Sequence, residues 1–237
     1  MNVLLRRAMF EAPWWAVLIN PWFLPRRALW RAMQQASVEL RGRVLDLGCG
    51  VKPYRPLLTM ADAIVGVEVG SDHNRKHKCA DVYYDGANLP FDAESFDAVI
   101  CNQVLEHVFE PESFVAEIRR VLVADGRLVL SVPFFWPEHE RPRDSQRYTS
   151  YGVRELLLRC GFEIIEQQKL VGGGSALLAL VAEQVNAGLR RMPLPLRLVA
   201  RALVVAPLSG LGALIAAAGR GDPELYLDNF VVARKRA

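Results

Sequence analysis

Between residues 43 and 170 short apolar strands alternate with helices, and that alternation constrains the fold more than any other feature. RVLDL (43–47), AIVGVEV (63–69), ADVYY (80–84), FDAVICN (96–102), RLVLSVP (127–133) and FEIIEQQKL (162–170) read as strands. PESFVAEIRRVL (111–122) reads as a helix, with Pro111 in its first turn and Phe114, Val115, Ile118, Val121 and Leu122 on one face. Asp125-Gly126 is expected to turn the chain into the fifth strand. A second helix is capped by Thr149 or Ser150 and ends at Gly161. Repeated strand–helix–strand units of this size imply an α/β fold, with helices on both faces of a parallel sheet.

The flanks differ from this middle. Residues 1–42 form a Trp- and Arg-rich extension, with Trp14, Trp15, Trp22 and Trp30 beside Arg26, Arg27 and Arg31. Pro13, Pro21 and Pro25 break it, and a helix is expected over 26–40. It does not read as a signal peptide, because Arg6 and Arg7 come late and Glu11 interrupts the apolar stretch. Residues 171–224 form an apolar helical insert that contains an uncharged run from Ala202 to Gly219. After it, YLDNFVVARK (226–235) reads as a seventh strand. The expected domains are therefore 1–42, then 43–170 together with 225–237, and the insert 171–224.

Composition removes several classes. A chain that is 51% hydrophobic is not disordered. Cys49, Cys79, Cys101 and Cys160 are widely spaced with no CxxC, which argues against a zinc ribbon or a disulfide framework. The net charge of +3 is unevenly spread: residues 1–35 carry +4, 36–170 carry −5, 171–224 carry +2 and 225–237 carry +2. An acidic middle disfavours nucleic acid as a partner, and Arg-rich flanks raise a membrane surface.

VLDLGCG (44–50) is a strand entering a Gly-rich turn. Gly48 and Gly50 let a ligand approach backbone closely. Glu68 closes the second strand, where a carboxylate accepts from ribose hydroxyls. The third glycine of a dinucleotide fingerprint is missing, and Asp46 would repel a pyrophosphate. The same carboxylate would favour a ligand with an ammonium and a sulfonium, which describes S-adenosylmethionine.

With these motifs the chain resembles the class I S-adenosylmethionine-dependent methyltransferases, of the bacterial methyltransferase domain 11 type. The resemblance rests on VLDLGCGVKPYRPLL (44–58), GVEV (66–69), DGANLPF (85–91), SFDAVICNQVLEHVFEP (95–111), EIRRVLVADGRLVLSVP (117–133) and RYTSYGVRELLLRCGFEII (147–165). It implies a doubly wound, mostly parallel, seven-stranded Rossmann-like sheet, with S-adenosyl-L-methionine as cofactor. It also implies that Asp46, Gly48 and Gly50 hold the methionine part and Glu68 the ribose. Asp85 and Gly86 would read the adenine edge, and Asn102 and Gln103 would line the floor near the amino-acid moiety. Lys52 departs from the family pattern and would narrow the methionine end; Asp125-Gly126 stands where Gly-Gly is common.

Methyl transfer to a hydroxyl or ammonium needs a base as well as orientation. Glu106-His107 follows the fourth strand, and FFWPEHERPRDSQRYT (134–149) follows the fifth, both at the edge where such sheets bind ligands. The candidate catalytic residues are His139, Asp144 and His107, against a structural reading in which the loop bonds mainly to itself. His73, His77 and Cys79 lie in a basic stretch with Arg75, Lys76 and Lys78, read as a solvated loop; no metal site is expected. The expected activity is methylation, by preference O-methylation, of a small-molecule, glycan or lipid-linked acceptor. A non-catalytic cofactor-binding protein and a dinucleotide-dependent oxidoreductase are the alternatives. The expected location is cytoplasmic, with the insert meeting the inner membrane face, a second subunit or its own sheet. Basic side chains near anionic lipid contribute about 1 kcal/mol each.

Overall fold

The computed structural model describes residues 3–77, 79–219 and 223–236; Lys78 of the basic stretch lies outside them. The chain begins with α1 (Val3–Arg6), a π turn (Arg7–Glu11), a 3-10 turn (Trp14–Leu18) and α2 (Phe23–Ser37). Then come β1 (Gly42–Leu47), β2 (Ala61–Val69), α3 (Asp72–His77), β3 (Val82–Tyr84), β4 (Phe96–Asn102) and a 3-10 turn (Leu105–His107). They are followed by α4 (Pro111–Val121), β5 (Leu122–Pro133), α5 (Ser150–Arg159) and β6 (Phe162–Gly172). The insert holds α6 (Gly174–Leu189), α7 (Leu194–Ala200), a π turn (Arg201–Val205) and α8 (Ala206–Ala218), before β7 (Tyr226–Lys235).

The seven strands form one sheet in the order β3-β2-β1-β4-β5-β7-β6. The ladders β2–β3, β1–β2, β1–β4 and β4–β5 are parallel. The chain winds outward from β1 in one direction and resumes at β4 on its other side. That reversal opens a crevice outside the carboxyl ends of β1 and β4, where such sheets bind ligands.

The expected amphipathic faces are buried. Phe114, Val115, Ile118 and Val121 of α4, and Val153, Leu156 and Leu157 of α5, join Leu45, Val99, Leu128 and Leu130 of the strands in one core. Thr149 caps α5, its hydroxyl accepting the Gly152 N–H at 3.0 Å. Gly161 ends the helix at φ +82°, and a Cβ there would lie 2.7 Å from Arg119 Nε.

Three local expectations are adjusted. Asp125-Gly126 turns the chain, with Asp125 at φ +58°, but inside β5 rather than before it. The ladder jumps from Phe96–Leu122 to Ala98–Arg127, so the dipeptide makes a bulge in a strand that has already begun. The basic stretch after β2 is the short exposed helix α3, not a loop. The N-terminal helix starts at Phe23, because Pro25 is tolerated in a first turn, and it stops at Ser37.

The chain divides into two compact units. One holds residues 33–168 and 229–237; the other holds 1–32 and 169–228. The first contains the core just described. In the second, Asn20 stitches the N-terminal turns, donating to the Ala8 carbonyl at 2.9 Å and accepting the Trp22 N–H at 2.9 Å. The α8 helix packs on α6. Small buried residues meet there: Ala206, Ser209, Gly212 and Ala213 from α8, and Ser175, Ala176, Ala179 and Ala182 from α6.

Candidate active site

The Gly-rich turn after β1 has Gly48 at φ +71° and Gly50 at φ +53°, both in the left-handed region that glycine tolerates. The N–H groups of Gly48 and Cys49 donate to the Val67 carbonyl at 2.9 and 3.2 Å, which anchors the turn to β2. A Cβ on Gly48 would sit 2.2 Å from Val104 Cγ2. Close packing against the loop after β4 therefore already requires glycine here, before any ligand is considered.

Asp46 is buried at the end of β1, and its Oδ2 has no hydrogen-bond partner. Burial pushes its carboxyl up to about 7; the Lys52 ammonium opposes this, while Glu68 and Asp81 add to it. Glu68 is also buried, and its Oε1 accepts the Gly50 N–H at 2.7 Å. The acid at the end of β2 thus shapes the turn directly, in addition to the ribose role the resemblance implies.

The Lys52 side chain is held against β2. Its ammonium pairs with Asp81 Oδ1 at 2.5 Å, while Asp81 Oδ2 accepts the Gly66 N–H at 2.7 Å. Its stem lies over β2, where a Cβ on Gly66 would come 2.5 Å from Lys52 Cε.

Asp85 is fully exposed, and its Oδ1 accepts the N–H groups of Ala87 and Asn88 at 2.8 and 2.9 Å. These two bonds hold its carboxyl below the usual range. Gly86 follows at φ +95°. Asn102, where β4 ends, donates to Met33 Sδ at 3.2 Å and keeps a buried, unpaired Oδ1. Gln103 adopts φ +56° and ties the loop to β5, its N–H and side chain both bonding Ser131.

The two candidate catalytic segments come together. The Glu106 carbonyl accepts from the Ser145 N–H at 3.0 Å, the Gln146 N–H at 3.2 Å and the Ser145 hydroxyl at 3.1 Å. These bonds clamp the 134–149 loop onto the 3-10 turn that carries His107. The His107 and His139 rings meet edge to face at 5.0 Å, and each Nε2 lies 3.9 Å from the buried Glu106 Oε1. Asp144 Oδ2 accepts the His139 backbone N–H at 2.8 Å and lies 3.2 Å from His139 Nδ1. Arg147 grips both Asp144 oxygens, at 2.6 and 2.7 Å.

Burial of Asp144 would raise its carboxyl, but the Arg147 fork and the His139 N–H outweigh it and hold the group at about 2. Burial pushes the His107 imidazole below its ordinary value, with Glu140 opposing and His139 reinforcing. At neutral pH the cluster therefore has an ionised Asp144 and a neutral His107.

Glu106, His107 and His139 could in principle share a cation. His73 and His77 stack at 4.7 Å on exposed α3, with Cys79 exposed beyond.

The sequence singles out His107, His139 and Asp144; Glu106 and Arg147 lie in the same two segments without a role of their own. The spacing that signals them is the acid-His pair after β4, and Asp144 placed three residues before Arg147.

Residues 45–130 match the family model described as "Methyltransferase domain". This decides the assignment. The chain carries a class I S-adenosylmethionine-dependent methyltransferase domain. One similar protein is a demethylmenaquinone methyltransferase of Clavibacter sepedonicus, 34% identical over 113 residues, covering 43% of this chain and 46% of that protein. Another is a probable S-adenosylmethionine-dependent methyltransferase of Mycolicibacterium smegmatis, 29% identical over 158 residues, covering 61% of this chain and 60% of that one. The chain thus spans about half the length of these relatives. Among solved structures, the [4+2]-cyclase SpnF shares the fold with a TM-score of 0.58 and 21% identity, covering 87% of this chain and 80% of that one.

The methyltransferase domain has a place that fits its cofactor. S-adenosylmethionine brings an ammonium and hydroxyl donors. The buried, unpaired Asp46 Oδ2 and Asn102 Oδ1 are acceptors that lack a donor.

Proposed function

We propose that this domain methylates a hydroxyl oxygen of a small amphiphilic molecule, with His139 as general base. The observation that carries the proposal is the 3.2 Å approach of Asp144 Oδ2 to His139 Nδ1, on the loop that leaves β5 at the ligand-binding edge of the sheet. When bound, S-adenosylmethionine supplies an electrophilic methyl group. The protein's part is to bind it, orient the acceptor and take up a proton.

Asp46, Asn102 and the Gly48–Gly50 turn would hold the amino-acid end, and Glu68 would accept from the ribose hydroxyls. Asp144 stays ionised, fixed by Arg147, and favours the tautomer of His139 with the proton on Nδ1. That leaves the Nε2 lone pair to accept the hydroxyl proton as the oxygen attacks. His107, kept neutral by burial, is the second acceptor in reach of the same space.

A phenol or other quinone-derived hydroxyl is the acceptor class we favour. Support comes from the name of a similar protein, a ubiquinone biosynthesis O-methyltransferase of Coxiella burnetii, 27% identical over 135 residues, and from the apolar unit carried on the same chain. A second reading, in which the cofactor pocket serves other chemistry, is favoured by the cyclase that shares the fold.

Incubating the protein with S-adenosylmethionine and the lipid or aqueous fraction of a cell extract tests the proposal. Formation of S-adenosylhomocysteine with the lipid fraction is expected, and His139→Ala should lower turnover roughly 10²–10⁴-fold. Cofactor binding without S-adenosylhomocysteine formation in any fraction would favour the second reading.

A further inference from the structure

The unit made of residues 1–32 and 169–228 exposes apolar side chains out of proportion to its size. It carries eighteen of the chain's twenty-four exposed large hydrophobic residues among the described residues. The segment Leu194–Ala218 is a 25-residue helical run, and its most apolar 18-residue stretch has mean hydropathy 2.0 with 28% of its residues buried. Its small side, Ala206, Ser209, Gly212 and Ala213, is covered by α6. Its large side is open: Leu196, Val199, Leu203, Pro207, Leu211 and Leu214 follow one another at three- and four-residue steps, and all are exposed. From Ala202 onward the run is uncharged all round, and such a helix belongs in a core or in lipid; here only one side has a core.

The N-terminal turns extend this surface. The Trp14–Leu18 turn packs against α8 and the adjoining π turn, and Leu4, Leu5, Trp15 and Ile19 line a shallow groove. Trp14 and Trp15 are exposed, and the Arg27 guanidinium stacks 4.3 Å from the Trp14 ring. Exposed Arg7, Arg31, Arg190 and Arg191 belong to the same unit. Leucine, tryptophan and arginine together are the composition of a membrane-interface helix.

We infer that this unit docks, without spanning, on an anionic lipid surface. Charge selects that occupant. The unit has eleven basic and five acidic side chains, a net +6, whereas the rest of the chain has a net −3. A second copy of the same face would be repelled, while anionic headgroups are attracted.

The helix pair also opposes a span. Leu194–Ala218 is long enough to cross, at about 37 Å against a hydrocarbon core of about 30 Å. Its partner α6 has 16 residues, or about 24 Å, and is too short. Polar groups also hold the pair together: Arg201 Nε donates to Asn186 at 2.9 Å, and Arg190 pairs with buried Glu183 at 2.6 Å.

Flotation of the full chain tests the inference, using vesicles of phosphatidylcholine alone or mixed with phosphatidylglycerol, at low and high salt. Calorimetry with S-adenosylhomocysteine serves as the control for an intact methyltransferase domain, so this test stands apart from the acceptor question. The chain should float with the mixed vesicles about tenfold more than with phosphatidylcholine. High salt or alkaline carbonate should release it. Leu203 and Leu214 are 70% and 66% exposed, so the double variant L203D/L214D should fold, bind S-adenosylhomocysteine as before and lose flotation.

Three results would overturn the inference. One is wild-type chain that binds S-adenosylhomocysteine and stays unbound to the mixed vesicles. The second is chain that resists carbonate extraction and binds both vesicle types equally, which describes a span. The third is a dimer in solution that L203D/L214D converts to monomer with no change in flotation, which gives the face to a second copy.

Discussion

One carboxylate oxygen of Asp144 serves His139 twice, accepting its backbone N–H at 2.8 Å and standing 3.2 Å from its Nδ1. With Arg147 on the same carboxylate, this contact closes the 134–149 loop on itself. Asp144 is almost fully buried, and its carboxyl is held at about 2 against an ordinary 3.8. A depressed carboxyl adds stability at pH above its unfolded value, and that stability disappears as pH falls through the folded one. Wild type should therefore lose about 2 kcal/mol relative to Asp144→Asn between roughly pH 4 and pH 2. Urea titrations of both proteins at pH 5, 3 and 2 measure it. Parallel losses in the two would show that the carboxylate does not hold the loop.

The Asp46 carboxyl shifts the opposite way, to about 7, because burial disfavours its charge. A raised carboxyl makes the folded state bind more protons than the unfolded state between about pH 4 and pH 7. Stability without ligand should then fall across that window, by at most about 4 kcal/mol. A ligand ammonium beside the carboxylate reverses the preference, so binding of S-adenosylhomocysteine should release a proton below pH 7 and tighten as pH rises. Calorimetry in buffers of different ionisation enthalpy counts that proton. Asp46→Asn should bind more weakly and release none; an unchanged proton count would move the ligand's ammonium elsewhere.

Gly48→Ala separates two demands on the turn. The new methyl would meet Val104 Cγ2 at 2.2 Å, and the residue must also hold φ +71°. The left-handed conformation alone costs roughly 1–2 kcal/mol in a non-glycine residue. Adding Val104→Ala removes the contact and leaves the backbone strain. The double variant should recover part of the melting temperature lost by Gly48→Ala. No recovery would mean that strain, rather than packing on the β4 loop, decides the position.

The sheet was legible because strand and helix periods are local, and each unit between residues 43 and 170 states its own. The Gly-rich turn was legible for the same reason: Asp46, Gly48 and Gly50 are neighbours in the chain. The direction of Lys52 was not, because its Asp81 partner lies 29 residues away and Gly66 provides the room. Nor was the union of His107 with His139, which the Glu106 carbonyl creates across 39 residues by accepting from Ser145. The 134–149 loop has no period to read, since side-chain bonds fix its shape. The grouping of residues 1–32 with 169–228 joins segments more than a hundred residues apart, and only charge and composition hinted at it.

Glu183 gathers the polar contacts of the second unit. It is buried on α6, and its carboxylate accepts from Trp22 Nε1 at 2.7 Å, Asn186 Nδ2 at 3.1 Å and Arg190 at 2.6 Å. Trp22 comes from the N-terminal segment and Glu183 from the insert, so this bond joins the two parts of the unit. Removing the carboxylate leaves the indole N–H and the Asn186 amide without an acceptor, at about 1–3 kcal/mol for each buried group. The Arg190 guanidinium, 57% exposed, turns to water and adds little. Glu183→Ala should therefore loosen residues 1–32 from the insert while the sheet stays folded. Limited proteolysis should cut near the N-terminus faster in the variant, and S-adenosylhomocysteine affinity should be unchanged. Glu183→Gln keeps an acceptor for Trp22 and should recover most of the protection. Equal proteolysis of wild type and Glu183→Ala would leave the apolar packing of the Trp14–Leu18 turn on α8 as the link that holds the N-terminal segment.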